Sequence, residues 1–292
     1  MKKNRNQEKR LWIQLLSACL TNGYVAGFMS AKIYKGKTKF ICVPGLNCYS
    51  CPGAVGACPI GSLQAVMGDR KYKFSYYVFG FLILVGSILG RLVCGFFCPF
   101  GLIQDLLHKI PVKKHKIPEK IDRKMRWLKY IVFLFFVVIF PLTATNAFGM
   151  GNPYFCKWIC PAGTLEGGIP LLLTHESLRQ SLGWLFNWKL FILMSVIITS
   201  AIIYRPFCKY LCPLGAFYAL FNKISLFQME VDDGKCTHCG YCEKKCGMNV
   251  HITQNINSAE CIRCGECVRN CPDNAITMGF KKTNQNAMEE RK

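Results

Sequence analysis

The sequence predicts a membrane α-helical protein carrying a small α+β domain at its C-terminal end, and three observations support this. The first two-thirds of the chain gathers its apolar residues into runs long enough to cross a bilayer. The final part holds two dense cysteine runs in a polar setting. Between them a C-P-x-G motif recurs at the ends of apolar runs.

Of 292 residues 51% are hydrophobic, and the clearest apolar runs cover residues 74–93, 128–148 and 184–204. A weaker run, 11–30, follows the basic start MKKNRNQEKR. A basic head before an apolar segment also describes a signal peptide. No small-residue cleavage site is present, however, and Gln14 and Asn22 interrupt the run, so a retained first helix is the expectation. About four transmembrane helices result. Residues 109–129 carry nine Lys or Arg and residues 1–10 carry five. Positive charge stays inside, which puts both termini in the cytoplasm of a multi-pass protein of the cytoplasmic membrane. Residues 31–73 resist this topology: they would lie outside yet carry seven Lys or Arg, whereas residues 149–183 have only Lys157 and Arg179. Because the basic residues flank apolar runs, the formal charge of +21 reads as membrane anchoring and no nucleic-acid partner is expected.

The C-terminal runs are CTHCGYCEKKC, 236–246, and CIRCGECVRNCP, 261–272. Each has the spacing C-x2-C-x2-C-x3-C. Three thiolates on one tight loop hold three irons of a cubane, and the fourth cysteine serves the other cluster. Cys236, Cys239, Cys242 and Cys271 are thus expected on one 4Fe–4S cluster, and Cys261, Cys264, Cys267 and Cys246 on a second. This is a two-cluster, bacterial-ferredoxin-like domain over 229–280, after a transmembrane domain over 1–228 and before a polar, disordered tail over 281–292. Zinc ribbons use two separated C-x2-C pairs, and disulfides belong to secreted domains; neither suits this pattern. One departure is that Cys246 is followed by Gly247 where Cys271 is followed by Pro272.

The oily part carries CGFFCPFG at 94–101, CKWICPAG at 156–163, CKYLCPLG at 208–215 and a looser CPGAVGACPIG at 51–61. Proline suits the first position of a helix, so each second cysteine stands at a helix start, where free N–H groups favour an anionic thiolate cluster. Each motif offers two ligands and a cubane wants four, so motifs must meet in pairs. Two pseudo-symmetric helical hairpins achieve this: Cys94, Cys98, Cys208 and Cys212 converge at the cytoplasmic face, and Cys51, Cys58, Cys156 and Cys160 at the outer face. One or two further 4Fe–4S clusters follow for the membrane part. Cys42 and Cys48 stay open between a disulfide and a local site with Cys51 and Cys58, while Cys19 reads as an ordinary small apolar residue. If four oxidised clusters add about −2 each, the net charge falls to roughly +13. Arg91, three residues before Cys94, either snorkels to the headgroups or raises a neighbouring cluster's potential.

With these motifs the chain resembles the membrane polyferredoxins with C-x3-C-P motifs, the type found in periplasmic nitrate reductase systems and nitrous-oxide reductase maturation and among YccM-like electron transport proteins. The resemblance covers roughly residues 74–277. Two C-x3-C-P motifs are usual in that family, so the likeness carries over to Cys94, Cys98, Cys208 and Cys212; the outer cysteines depart from it. It implies electron transfer between a cytoplasmic or quinol donor and an extracytoplasmic acceptor, with redox proteins, including an extracytoplasmic flavoprotein, or a quinone as partners. The rival expectation is a redox-dependent maturation or sensing factor for a metalloenzyme. No C-x-x-C-H, no histidine pair on an apolar helical face and no Gly-rich phosphate loop occurs, so haem and bound dinucleotide are not expected. The protein reads as an electron carrier without an organic-substrate site of its own.

Overall fold

The computed structural model describes residues 2–30, 32–68, 76–144, 151–180 and 182–281, with side chains from residue 8 onward. The ends of two apolar runs, 74–75 and 145–148, and the tail 282–292 lie outside the described residues. Among the described residues two helices are long and apolar enough to cross a membrane, Glu119–Thr143 and Trp184–Ile202, and a shorter apolar helix is Tyr76–Leu89. In the most apolar stretches of the two long helices only 22% and 17% of residues are buried. Trp127, Ile131, Leu134, Phe191 and Ile198 face outward, which suits lipid and would be costly in water.

The expected first span takes a different form. Its helix begins at Lys2, inside the basic head, and stops at Thr21, and a separate turn of helix covers Val25–Ser30. The break falls at Asn22 and Gly23, both poor in helix interiors. Trp12, Leu16 and Leu20 lie four apart on its exposed face. Its buried face is polar: Gln14 donates to the Gly95 carbonyl at 3.0 Å and Ser17 to that of Phe97 at 3.0 Å. This helix therefore covers the inner cysteine motif, and of the four expected spans the described residues give two long apolar helices and a shorter one besides it.

The helix Glu119–Thr143 widens to π-type turns over Phe133–Ile139 just ahead of Pro141, whose missing N–H loosens the ladder. Trp184–Ile202, at ~1.5 Å per residue, runs roughly 28 Å. Near its start Lys189 donates to the Cys156 carbonyl at 3.2 Å, and beyond its end Arg205 donates to the Cys94 carbonyl. The two pairs of membrane motifs thus lie at different depths.

The small domain closes on an antiparallel pair, β1 (Phe227–Val231) and β2 (Ile276–Phe280), in the register Phe227 to Phe280 and Val231 to Ile276. It is fastened to the helices by buried polar contacts. Arg263 donates to the Leu89 carbonyl at 2.8 Å and to Ser225 at 2.8 Å, and Asn222 donates to the carbonyls of Ser258 and Cys261.

Candidate functional site

The two C-terminal runs fold alike. His238 and Arg263 both have φ +52°, Gly240 and Gly265 are left-handed, and Asn249 and Asn274 both have φ +51°. Since the turns after Cys246 and Cys271 match, Gly247 in place of proline changes little. Cys236, Cys239, Cys242 and Cys271 line one space of about 360 Å³ with Pro272, and Cys246, Cys261, Cys264 and Cys267 line another of about 350 Å³. The fourth cysteine of each run thus lines the space of the other run's first three. The fourth sulfurs accept equivalent backbone hydrogen bonds, Val250 N–H to Cys246 and Ala275 N–H to Cys271. Burial pushes the Cys261 thiol up to about 12, so a thiolate there needs a cationic partner such as iron.

In the membrane part Cys98 precedes the helix Pro99–His108 and Cys212 precedes Pro213–Phe221, each with proline in the first turn. Cys94 and Cys208 lie in the short helices Leu92–Phe96 and Pro206–Tyr210. All four are buried, and Cys94, Cys98, Cys208 and Cys212 lie within electrostatic reach of one another across 118 positions of sequence. Arginines stand three residues before each first cysteine and cross over. Arg91 donates to the Cys208 carbonyl at 3.1 Å, and Arg205 donates to that of Cys94. Their carboxylates differ: Arg91 and Lys129 share Glu260, whereas Arg205 and Arg10 share Asp105. Burial raises the Asp105 pKa, but the guanidinium of Arg205, with Arg10 and Gln14, outweighs it and holds the carboxyl at about 2.

At the other depth Cys48, Cys58, Cys156 and Cys160 line one space of about 1000 Å³. Cys58, Cys156 and Cys160 of the expected set line it together with Cys48, one of the two open alternatives, and Cys51 does not. Cys51 N–H bonds to the Cys48 carbonyl in a tight turn, and the Cys51 sulfur lies 3.6 Å from Asn22 Oδ1. Cys42 sits apart in a bridge with Ala57 and carries no disulfide. Glu166 accepts the Cys48 N–H at 2.7 Å.

The sets pack in series. A Cβ on Gly95, between Cys94 and Cys98, would sit 2.4 Å from the Ile262 carbonyl oxygen and 4.0 Å from Cys264 N. A Cβ on Gly45 would sit 2.8 Å from Cys98 Cα, and Gly45 is three residues from Cys48. Glycine is required at both because backbone meets backbone.

The donor sets suit iron–sulfur cubanes. Among the described residues no three His, Cys, Asp or Glu side chains are gathered to hold a single ion. Instead four thiols surround each of three wider spaces and converge at the inner motif. Nε of Arg91 and of Arg263 is buried without a hydrogen-bond partner, as suits a protein expecting anions nearby. Sequence reasoning missed Glu260, Asp105, Gln64 and Gln104. The glutamines had a signal, since each lies six residues after the second cysteine of its motif.

The chain matches the 4Fe-4S binding domain family over residues 56–77, 74–118, 129–169 and 186–229, and the 4Fe-4S dicluster domain over 228–272. Among curated relatives, the uncharacterized protein MJ0750 of Methanocaldococcus jannaschii is 30% identical over 182 residues, 60% of this chain and 66% of the relative. The putative electron transport protein YccM of Escherichia coli is 25% identical over 236 residues, 75% of this chain and 58% of its own length. The regulatory protein NosR of Stutzerimonas stutzeri is 27% identical over 170 residues, 56% of this chain and 21% of its own. In each case the match spans less than two thirds of the relative's length. No solved structure matches.

Proposed function

This chain belongs to the 4Fe-4S binding domain family of ferredoxin-type electron transport proteins, and from that premise we propose that it is a membrane electron conduit. The reading gives it four thiol sets in series: Cys236/Cys239/Cys242/Cys271, Cys261/Cys264/Cys267/Cys246, Cys94/Cys98/Cys208/Cys212 and Cys48/Cys58/Cys156/Cys160. Clusters bound there would supply one-electron carriers. The protein's own contribution is to hold the thiolates, exclude water and keep the sets close. The observation that carries the proposal is the backbone contact of Gly95 with Ile262 and of Gly45 with Cys98, which leaves no intervening layer between neighbouring sets.

The ferredoxin-like domain takes the cytoplasmic side on the charge distribution of the chain. A cleft between that domain and the helices is rimmed by Arg10, Lys109, Lys114, Lys116, Lys244 and Lys245 and reaches Cys264. It supports an acidic carrier protein or a quinol as the cytoplasmic partner, with an extracytoplasmic redox protein, such as a flavoprotein, at the Cys160 end. The test is reconstitution in vesicles with trapped ferricyanide and external dithionite, neither of which crosses the bilayer. Reduction of the trapped dye is expected. Vesicles that stay oxidised while the purified protein is fully loaded with iron would refute the conduit. They would favour redox-dependent maturation or sensing, the reading that a relative named as a regulatory protein supports.

A further inference from the structure

Four helix starts in this chain share one longer pattern. They read CPIGSLQ at 58–64, CPFGLIQ at 98–104, CPAGTLE at 160–166 and CPLGAFY at 212–218. The seventh position is Gln64, Gln104, Glu166 and Tyr218, and each reaches across to another segment. In the second half, Glu166 accepts the Cys48 N–H at 2.7 Å and Tyr218 donates to the Pro44 carbonyl at 3.0 Å. In the first half, the same position carries glutamine twice, and both glutamines aim at sulfur. Gln104 Nε2 lies 3.0 Å from the Cys208 sulfur and Gln64 Nε2 lies 3.3 Å from that of Cys156. Each target is the first cysteine of the facing motif in the other half.

Neither amide is there as filler. Both side chains are fully buried, and a buried amide is costly unless it is hydrogen-bonded, so leucine or methionine would fill the space at lower cost. Gln64 is oriented by Phe155 N–H, which donates to its Oε1 at 2.9 Å, and by its own Nε2, which gives one hydrogen to the Ile60 carbonyl at 3.2 Å and leaves the other for the sulfur. Gln104 Nε2 also gives a longer bond, 3.4 Å, to the Phe100 carbonyl, so the sulfur at 3.0 Å is its closer partner, and the amide is retained although its Oε1 has no partner. A ligating sulfur is a thiolate with no proton to give, so the amide must be the donor.

We propose that Gln64 and Gln104 are paired potential-setting residues, each donating an N–H···S hydrogen bond across the pseudo-twofold to one ligand of a membrane cluster. A hydrogen bond to a cluster sulfur favours the more negative, reduced state and so raises the reduction potential. The inference rests on the four-set reading above and goes beyond it by assigning the two residues that tune the membrane pair.

The experiment is a redox titration, followed by electron paramagnetic resonance, of the full-length protein purified without oxygen. Gln104→Met should lower the reduced-to-oxidised ratio of the inner set about tenfold at a fixed potential, a shift of about 59 mV for one electron. Gln104→Glu should lower it further. Gln64→Met should move only the outer set, and iron content should be unchanged in all three. A variant that keeps its iron with an unmoved potential would overturn the proposal. Where Gln104→Met holds no inner cluster, the unmodified protein decides: glutamine labelled with ¹⁵N should show magnetic coupling to the reduced inner cluster, and its absence overturns the assignment. Eight irons per chain in the unmodified protein would instead sink the four-set reading, and the proposal with it.

Discussion

Gly95 is where the ferredoxin-like domain meets the inner motif, and adding a single methyl group there tests whether that contact matters. In Gly95→Ala the new Cβ would lie 2.4 Å from the Ile262 oxygen, against the 3.0 Å below which Cβ contacts essentially do not occur. The strand of backbone at Ile262 must retreat by at least the difference. It cannot do so freely, because Ile262 is buried and the adjacent Arg263 is tied to Leu89, Asn222 and Ser225. Overpacking of this kind costs about 1–3 kcal/mol. At about 1.4 kcal/mol per decade, the undocked population rises roughly 5- to 150-fold. The control is Gly80→Ala, where a Cβ meets nothing within 4 Å. Both variants should retain iron. After a pulse of reductant, equilibration between the ferredoxin-like domain and the inner set should slow in Gly95→Ala alone, and amide exchange over 258–264 should quicken. If Gly95→Ala matches Gly80→Ala in both measurements, the series arrangement is not what couples the two parts.

Three further outcomes follow from the same geometry. Gly45→Ala, whose Cβ would stand 2.8 Å from both Cys98 Cα and the Phe97 oxygen, should uncouple the outer set while leaving the inner one reducible; unchanged transfer to the outer set in stopped-flow traces would contradict this. Cys48→Ser should remove the outer cluster signal and about four irons, the cubane content, whereas Cys51→Ser should leave both; the opposite result restores the set that the sequence alone suggested. Glu260→Gln leaves Arg91 and Lys129 buried and short of charge, which typically costs about 3–5 kcal/mol. That loss should appear as a lower denaturant midpoint for bleaching of the inner set, and a midpoint like that of the unmodified chain would mean that the carboxylate is dispensable.

Much of this was legible because iron–sulfur ligation is local and proline-marked. The C-terminal sets follow from spacing alone, since a loop of seven residues from Cys236 to Cys242 can present three thiols by itself. The pairing of Cys98 with Cys212 could be argued from the repeat, because both open helices with proline. The outer set was not legible in the same way. Four cysteines at 42, 48, 51 and 58 offer several choices, and that Cys48 and Cys58 line the space with Cys156 comes from the path of an irregular loop, which has no pattern in residue types. The first helix was only partly legible, for a different reason. Its apolar face is real, but Gln14, Ser17 and Thr21 point inward to serve the carbonyls of the inner motif and of the helix itself, so hydropathy averaged over the segment hides which side is which.

The buried charges of the inner region supply the last step. Arg91 and Lys129 are both fully buried and share the single carboxylate of Glu260, so one positive charge there lacks an acidic partner. Arg205 and Arg10 share Asp105 in the same way, and buried Arg263 is held by carbonyls and a hydroxyl with no carboxylate at all. An isolated buried cation is among the costlier things a fold can hold. The excess is therefore intelligible only if the surroundings supply negative charge, and the nearest candidates are the thiols at Cys94, Cys208 and Cys261, which become anionic when they ligate iron. On this view the arginines are as much a part of the sites as the cysteines. They explain why Arg91 and Arg205 occupy the same offset before Cys94 and Cys208.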